Sequence, residues 1–152
     1  MLTALEAVRP DVTAEYLGGT YIVNAAASGP HTRALFAIAD LLATRVPSGY
    51  ERATDIRVEF DDQIIMPDLC VIEAETLLGT VGDAAVPLSE LLLMVEVLSP
   101  STESRDRTVK KELCAAAGVD YWLVSPGTTL ADHWQSVERF DFGGGVIGSV
   151  GL

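Results

Sequence analysis

The sequence predicts an α/β or α+β domain built on a mixed sheet, and three observations carry the prediction. Residues 91–98, Leu-Leu-Leu-Met-Val-Glu-Val-Leu, are the most apolar segment of the chain. The run is too short for a typical helix and suits a central strand covered on both faces. Helical patterning follows from about 105 to 117 and stops at Gly118, after which residues 121–124 read as another buried strand. Strand, helix, strand in that order is a parallel crossover unit. Earlier, Ile56, Val58 and Phe60 alternate with Arg57 and Glu59, the pattern of a half-buried strand. The strands of this earlier region read as antiparallel.

Residues 1–15 read as a short helical or irregular lead-in. Tyr21-Ile22-Val23 reads as a short strand and residues 25–30 as a loop of small side chains. From 31 to 46, Leu35, Ile38, Leu42 and Val46 recur at helical spacing until Pro47 ends the run. Asp61-Asp62 turns the chain after the strand at 56–60, and a second strand runs through Ile64-Ile65 and on from Leu69 to Ile72. Residues 76–90, with two glycines and one proline, read as loop plus a short turn of helix. The strand at 91–98 is expected between those at 69–72 and 121–124, since edge strands rarely bury so much. A marginal hairpin around 129–142 and a glycine-rich tail complete a single domain of 152 residues with its core at about 19–126.

Hydrophobic residues make up 49% of the chain and charged ones 21%, a globular composition. The start of the chain lacks a basic segment followed by an apolar run, and no apolar stretch is long enough to span a bilayer, so the expectation is a cytoplasmic protein without membrane contact. Cys70 and Cys114 fall inside regular elements and read as buried free thiols. The net charge is −12, and residues 51–96 hold eleven acids against two bases. Attraction to nucleic acid comes from Lys and Arg neutralising phosphates, so this balance argues against tight unaided binding of DNA. The one locally basic stretch, at 99–111, carries Arg105, Arg107, Lys110 and Lys111. It is too small to hold a duplex alone, which points to a homodimer.

Glu96 is the most informative residue. An ionised carboxylate in a strand buried on both faces costs several kcal/mol, on the order set by desolvation, unless something compensates it. An arginine at the strand end could do so and make Glu96 purely structural. Asp68 opens a strand in Met66-Pro67-Asp68-Leu69, and a lone Pro-Asp is commonly turn chemistry. If the two strands are neighbours, both carboxylates converge at the sheet rim. Two such oxygen donors, with waters and a phosphate oxygen, suit Mg²⁺ or Mn²⁺. A nearby ammonium would then stabilise charge on the phosphate.

Pro67-Asp68, the string Glu96-Val97-Leu98-Ser99-Pro100-Ser101-Thr102, Asp106-Arg107, Lys110 and the string from Gly118 to Val124 together resemble a large bacterial family of restriction-endonuclease-like proteins in the PD-(D/E)XK nuclease superfamily. Gly19, Tyr21-Ile22-Val23 and Pro30-His31 extend the resemblance more weakly toward the N-terminus. It implies a restriction-endonuclease-like mixed sheet flanked by helices, with Asp68 and Glu96 as metal-binding acids and Lys110 as the third catalytic residue. Lys110 stands in for the lysine that the superfamily pattern places at Leu98. His31, Ser99 and Asp106 are possible accessory residues by the same match. Thr20 stands where the family tends to have a glutamate, Cys114 where a tyrosine is common, and Ser125 where an aspartate is.

Each of these residues has a plainer reading. A histidine opening a helix is commonly a cap or surface group. Asp106 and Lys110, four apart, would make an ordinary helix-face pair. Trp122 and Tyr121 read as core, and the two histidines and two cysteines lack zinc-site spacing. The leading function is a metal-dependent nuclease hydrolysing phosphodiester bonds, with DNA as partner. The alternatives are an inactive nuclease-fold protein acting as an interaction module, and a hydrolase of another phosphate ester.

Overall fold

The structure, a computed structural model, describes residues 13–24, 28–82, 84–99 and 106–144. The chain forms β1 (Thr13–Leu17), β2 (Thr20–Asn24), α1 (Gly29–Ala43), β3 (Tyr50–Ala53), β4 (Val58–Phe60), β5 (Gln63–Ile65), β6 (Leu69–Glu73), α2 (Ala74–Gly79), β7 (Val86–Pro87), a 3₁₀ turn (Leu88–Glu90), β8 (Leu91–Val97), a wide π-type turn (Asp106–Lys110), α3 (Lys111–Ala117), β9 (Asp120–Pro126) and β10 (Trp134–Phe140). Among the described residues, no helix is long and apolar enough to cross a membrane.

The strands make two five-stranded sheets, ordered β10-β9-β8-β6-β3 and β2-β1-β5-β4-β7. In the first, β8 lies between β6 (antiparallel) and β9 (parallel), the central position expected of the most apolar segment. This sheet is therefore mixed, and the fold is α+β. Its alternate residues face two cores. Leu69, Val71, Leu93, Val95, Val97, Trp122 and Val124 pack against Ala34, Ile38 and Leu42 of α1. Cys70, Met94, Tyr121 and Leu123 turn the other way, toward Leu113 and Cys114 of α3 and toward Leu17, Val58 and Ile65 of the second sheet. Two-sided burial explains why β8 and β9 read as nearly unbroken apolar runs.

The structure corrects several expectations. Residues 13–15 are strand, not lead-in: β1 pairs with β2 through Gly18 and Gly19, whose φ values of +59° and +81° suit a two-residue hairpin that glycine makes without strain. The strand expected to run from Ile64 to Ile72 is two strands in two sheets. Pro67 has no N–H to give to a ladder, and the chain crosses between the sheets at Met66-Pro67-Asp68. The expected hairpin within 129–142 is instead one strand, β10, pairing antiparallel with β9. The helix expected from 105 to 117 has regular α geometry only from Lys111 onward. Besides helices, the second sheet packs on one face of the first, which was not expected from the sequence. Cys70 and Cys114 are buried free thiols, and burial pushes both up to about 12.

Candidate active site

The site begins with strand register. Leu69 pairs with Val95 and Cys70 with Met94, so continuing the antiparallel ladder by one residue brings Asp68 level with Glu96. The last backbone N–H of β8 ties the two strand ends together: Val97 N donates to Asp68 Oδ2 at 2.7 Å. Asp68 thus sits at the crossing between sheets because Pro67 ends one ladder, and the register sets it beside Glu96 with its carboxylate held by Val97 N and His31.

Lys110 is where the helical segment turns from π-type to α geometry. The side chain is buried, and its Nζ donates to Glu96 Oε1 at 2.7 Å. This is the compensation that a carboxylate in an apolar strand requires. A third acid completes the cluster. Glu15 of β1 meets Lys110 Nζ through Oε2 at 3.0 Å and Oε1 at 3.3 Å, and its Oε2 also accepts from Met66 N at 2.7 Å. Glu15, Glu96 and Lys110 are 2%, 3% and 2% exposed, so these charges interact with little screening by solvent.

His31 lies in the first turn of α1, whose N-cap is the side chain of Ser28, accepting from His31 N at 3.3 Å. Its Nε2 is 3.3 Å from Asp68 Oδ2. Burial pushes the Asp68 carboxyl up, but the hydrogen bond and charge of His31, the Val97 N–H and an interaction with Glu96 outweigh it, holding Asp68 below the usual aspartate range. The structure therefore brings Asp68, Glu96, Lys110 and His31 together. Ser99 lies just past the end of β8 and is half-buried. The side chain of Asp106 lies outside the described residues, as do Pro100, Ser101 and Thr102. Thr20 is exposed in β2.

Sequence reasoning missed Glu15. The residue that joins the cluster comes from β1, five positions before the threonine at which an accessory acid was sought. The signal was present in Gly18-Gly19: recognising a two-residue hairpin there would have made residues 13–17 a strand with Glu15 and Leu17 on one face.

Three carboxylates, one ammonium and one imidazole thus share a largely buried site. Two of the acids, Asp68 and Glu96, offer hard oxygen donors of the kind Mg²⁺ and Mn²⁺ accept. Among the described residues, no group of three or more His, Cys, Asp or Glu is arranged to hold a metal by itself. That still fits Mg²⁺, which binds through one or two carboxylates and completes its shell with water and phosphate.

Comparison with known proteins bears on the fold and the family. The structure resembles the crystal structure of a protein from Anabaena variabilis ATCC 29413 described as a putative nuclease belonging to DUF820, with a TM-score of 0.61, 20% sequence identity, and coverage of 85% of this chain and 76% of that one. At that identity the likeness establishes the shared fold. No curated protein matches the chain. The profile of Uma2, described as putative restriction endonuclease, matches residues 2–142. The chain belongs to this restriction-endonuclease family.

Proposed function

We propose that the protein is a metal-dependent nuclease that hydrolyses phosphodiester bonds in DNA, with its reaction centre at Asp68, Glu96 and Lys110, in the manner of PD-(D/E)XK enzymes. The observation that carries the proposal is that Asp68 is bonded to the N–H of Val97, the residue after Glu96, while a buried ammonium lies 2.7 Å from Glu96. Asp68 and Glu96 would hold Mg²⁺ or Mn²⁺. Such an ion, when bound, polarises a phosphodiester and lowers the pKa of water.

The chain's own groups have separable tasks. The Val97 N–H and His31 keep Asp68 oriented and ionised, so that it presents a charged oxygen at neutral pH. Lys110 offers N–H donors where charge accumulates on the phosphate oxygens in the transition state. Glu15 fixes Lys110 through two oxygens and is itself anchored by Met66 N, so the ammonium is positioned before substrate arrives. Burial of the cluster strengthens each of these interactions. The net charge of −12 makes unaided attraction to DNA weak, and a homodimer would pool two basic stretches against one substrate.

A second reading has one observation in its favour. Lys110 and its two glutamates satisfy one another fully buried, as a purely structural ion cluster in an inactive interaction module would. Incubation with double-stranded DNA, single-stranded DNA and RNA, each with Mg²⁺, Mn²⁺ or EDTA, separates the readings. Metal-dependent cleavage of DNA is expected. Cleavage of RNA alone would overturn the choice of substrate, and inertness toward all three would favour the module.

A further inference from the structure

Lys110 occupies an unusual place for a group that must also serve a substrate phosphate. Its Nζ lies 2.7 Å from Glu96 Oε1 and 3.0 Å from Glu15 Oε2, and only 2% of the residue is exposed. The ammonium thus already neutralises the glutamate that a divalent cation would need. Two cations cannot share one carboxylate face at these distances without strong repulsion. Glu15 provides a second partner for the same ammonium, and it is held in place by Met66 N at 2.7 Å.

A separate feature gives Lys110 the means to move. It closes the wide turn Asp106–Lys110 and is followed directly by the α-helix Lys111–Ala117. A π-type turn carries one residue more than an α turn, and such turns occur at functional sites in helices. Tightening or shifting that turn re-aims the side chain at its seam while α3 keeps its packing through Leu113 and Cys114.

From these two observations we propose that Lys110 is the resident counter-ion of the site, which gives up Glu96 and falls back on Glu15 when a divalent cation binds. The inference rests on the metal-dependent reading above and adds to it an exchange: lysine and metal compete for Glu96. In this account the ammonium released from Glu96 becomes available to a phosphate only in the metal-loaded state, so metal binding and lysine activation are one event. Without metal, the same contact keeps two buried glutamates compensated and the fold intact.

The test is calorimetric titration of the whole chain with MgCl₂ and with MnCl₂ at pH 8, comparing wild type with Lys110→Met, which keeps the apolar stem. Removing the competing cation should tighten metal binding by about tenfold or more, although the variant is less stable without metal. Affinity equal to or weaker than wild type would overturn the exchange while leaving the metal reading intact. Absence of binding to either protein would remove both. Should Lys110→Met fail to fold, the wild-type chain with isotopically labelled lysine gives the answer. Saturating Mg²⁺ should shift the Lys110 side-chain resonances and speed exchange of its ammonium protons with water. Resonances unchanged at full metal occupancy would contradict the proposal.

Discussion

Removal of the Lys110 ammonium should be among the most damaging single changes in the protein. Lys110→Met keeps an unbranched apolar stem as far as Cε and removes only the ammonium, so little packing is lost. What remains is Glu96 at 3% exposure and Glu15 at 2%, both facing the space that the ammonium filled. Breaking a buried pair by removing one partner costs about 3–5 kcal/mol. Here two contacts go, at 2.7 and 3.0 Å, but Glu15 keeps its bond from Met66 N, which moderates the loss. The expected cost is about 4 kcal/mol at pH 7.5 without metal. With a urea m-value in the usual range, the unfolding midpoint should fall by roughly 2 M. The double variant Glu96→Gln/Lys110→Met should recover part of that loss, because one of the two buried charges is gone. A cost under about 1 kcal/mol for Lys110→Met would show a solvated, screened lysine and refute the reasoning.

Three further outcomes follow from other parts of the molecule. Asp68 has a depressed pKa in the folded state, so its contribution is complete above the ordinary aspartate range and is lost as pH falls through the folded value. Wild type should therefore exceed Asp68→Asn by about 2 kcal/mol at neutral pH, and urea unfolding should show that difference shrinking only in acid. Asp120 is opposite in sign: burial and then its hydrogen bond to Asp141 raise it, despite the N–H groups of Phe142 and Gly144 on its Oδ1. Its charged form is disfavoured by folding, so wild type should gain stability relative to Asp120→Asn as pH is lowered from neutral toward the carboxylate range, with the two within about 1 kcal/mol at pH 7 in the same assay. Sedimentation at micromolar concentration should show a homodimer, and a monomer would remove that part of the proposal.

Glu96 was legible because an acid inside Leu-Leu-Leu-Met-Val-Glu-Val-Leu has a cost that demands a partner, and the structure supplies it in Lys110. Placement of β8 between β6 and β9 was legible for the same reason, since runs buried on both faces belong at the centre of a sheet. Several strands of the second sheet were legible too, at 21–23, 56–60 and 64–65, but their gathering into a separate sheet was not. Its strands β4, β5 and β7 have only three, three and two residues, so nothing in their patterning says which strands they pair with, and β1 and β7 were not read as strands at all. Pro67 held the missing information about the break after Ile65, because a residue without an N–H cannot continue an interior ladder. Glu15 escaped notice because its strand shows no clean alternation. His31 could be read as cap or accessory group, and only the tertiary approach of α1 to the end of β6 joins it to Asp68.

The most direct test is the rate of plasmid DNA cleavage by Glu96→Gln beside wild type, at equal Mg²⁺ or Mn²⁺ and with folding of both confirmed by circular dichroism. Glutamine retains an oxygen that can accept from Lys110, so the fold should persist while the charge that would hold the cation is lost. The account predicts metal-dependent cleavage by wild type and a rate lower by about a hundredfold or more in the variant. Equal rates for the two proteins, or wild-type cleavage that persists in EDTA, would contradict it.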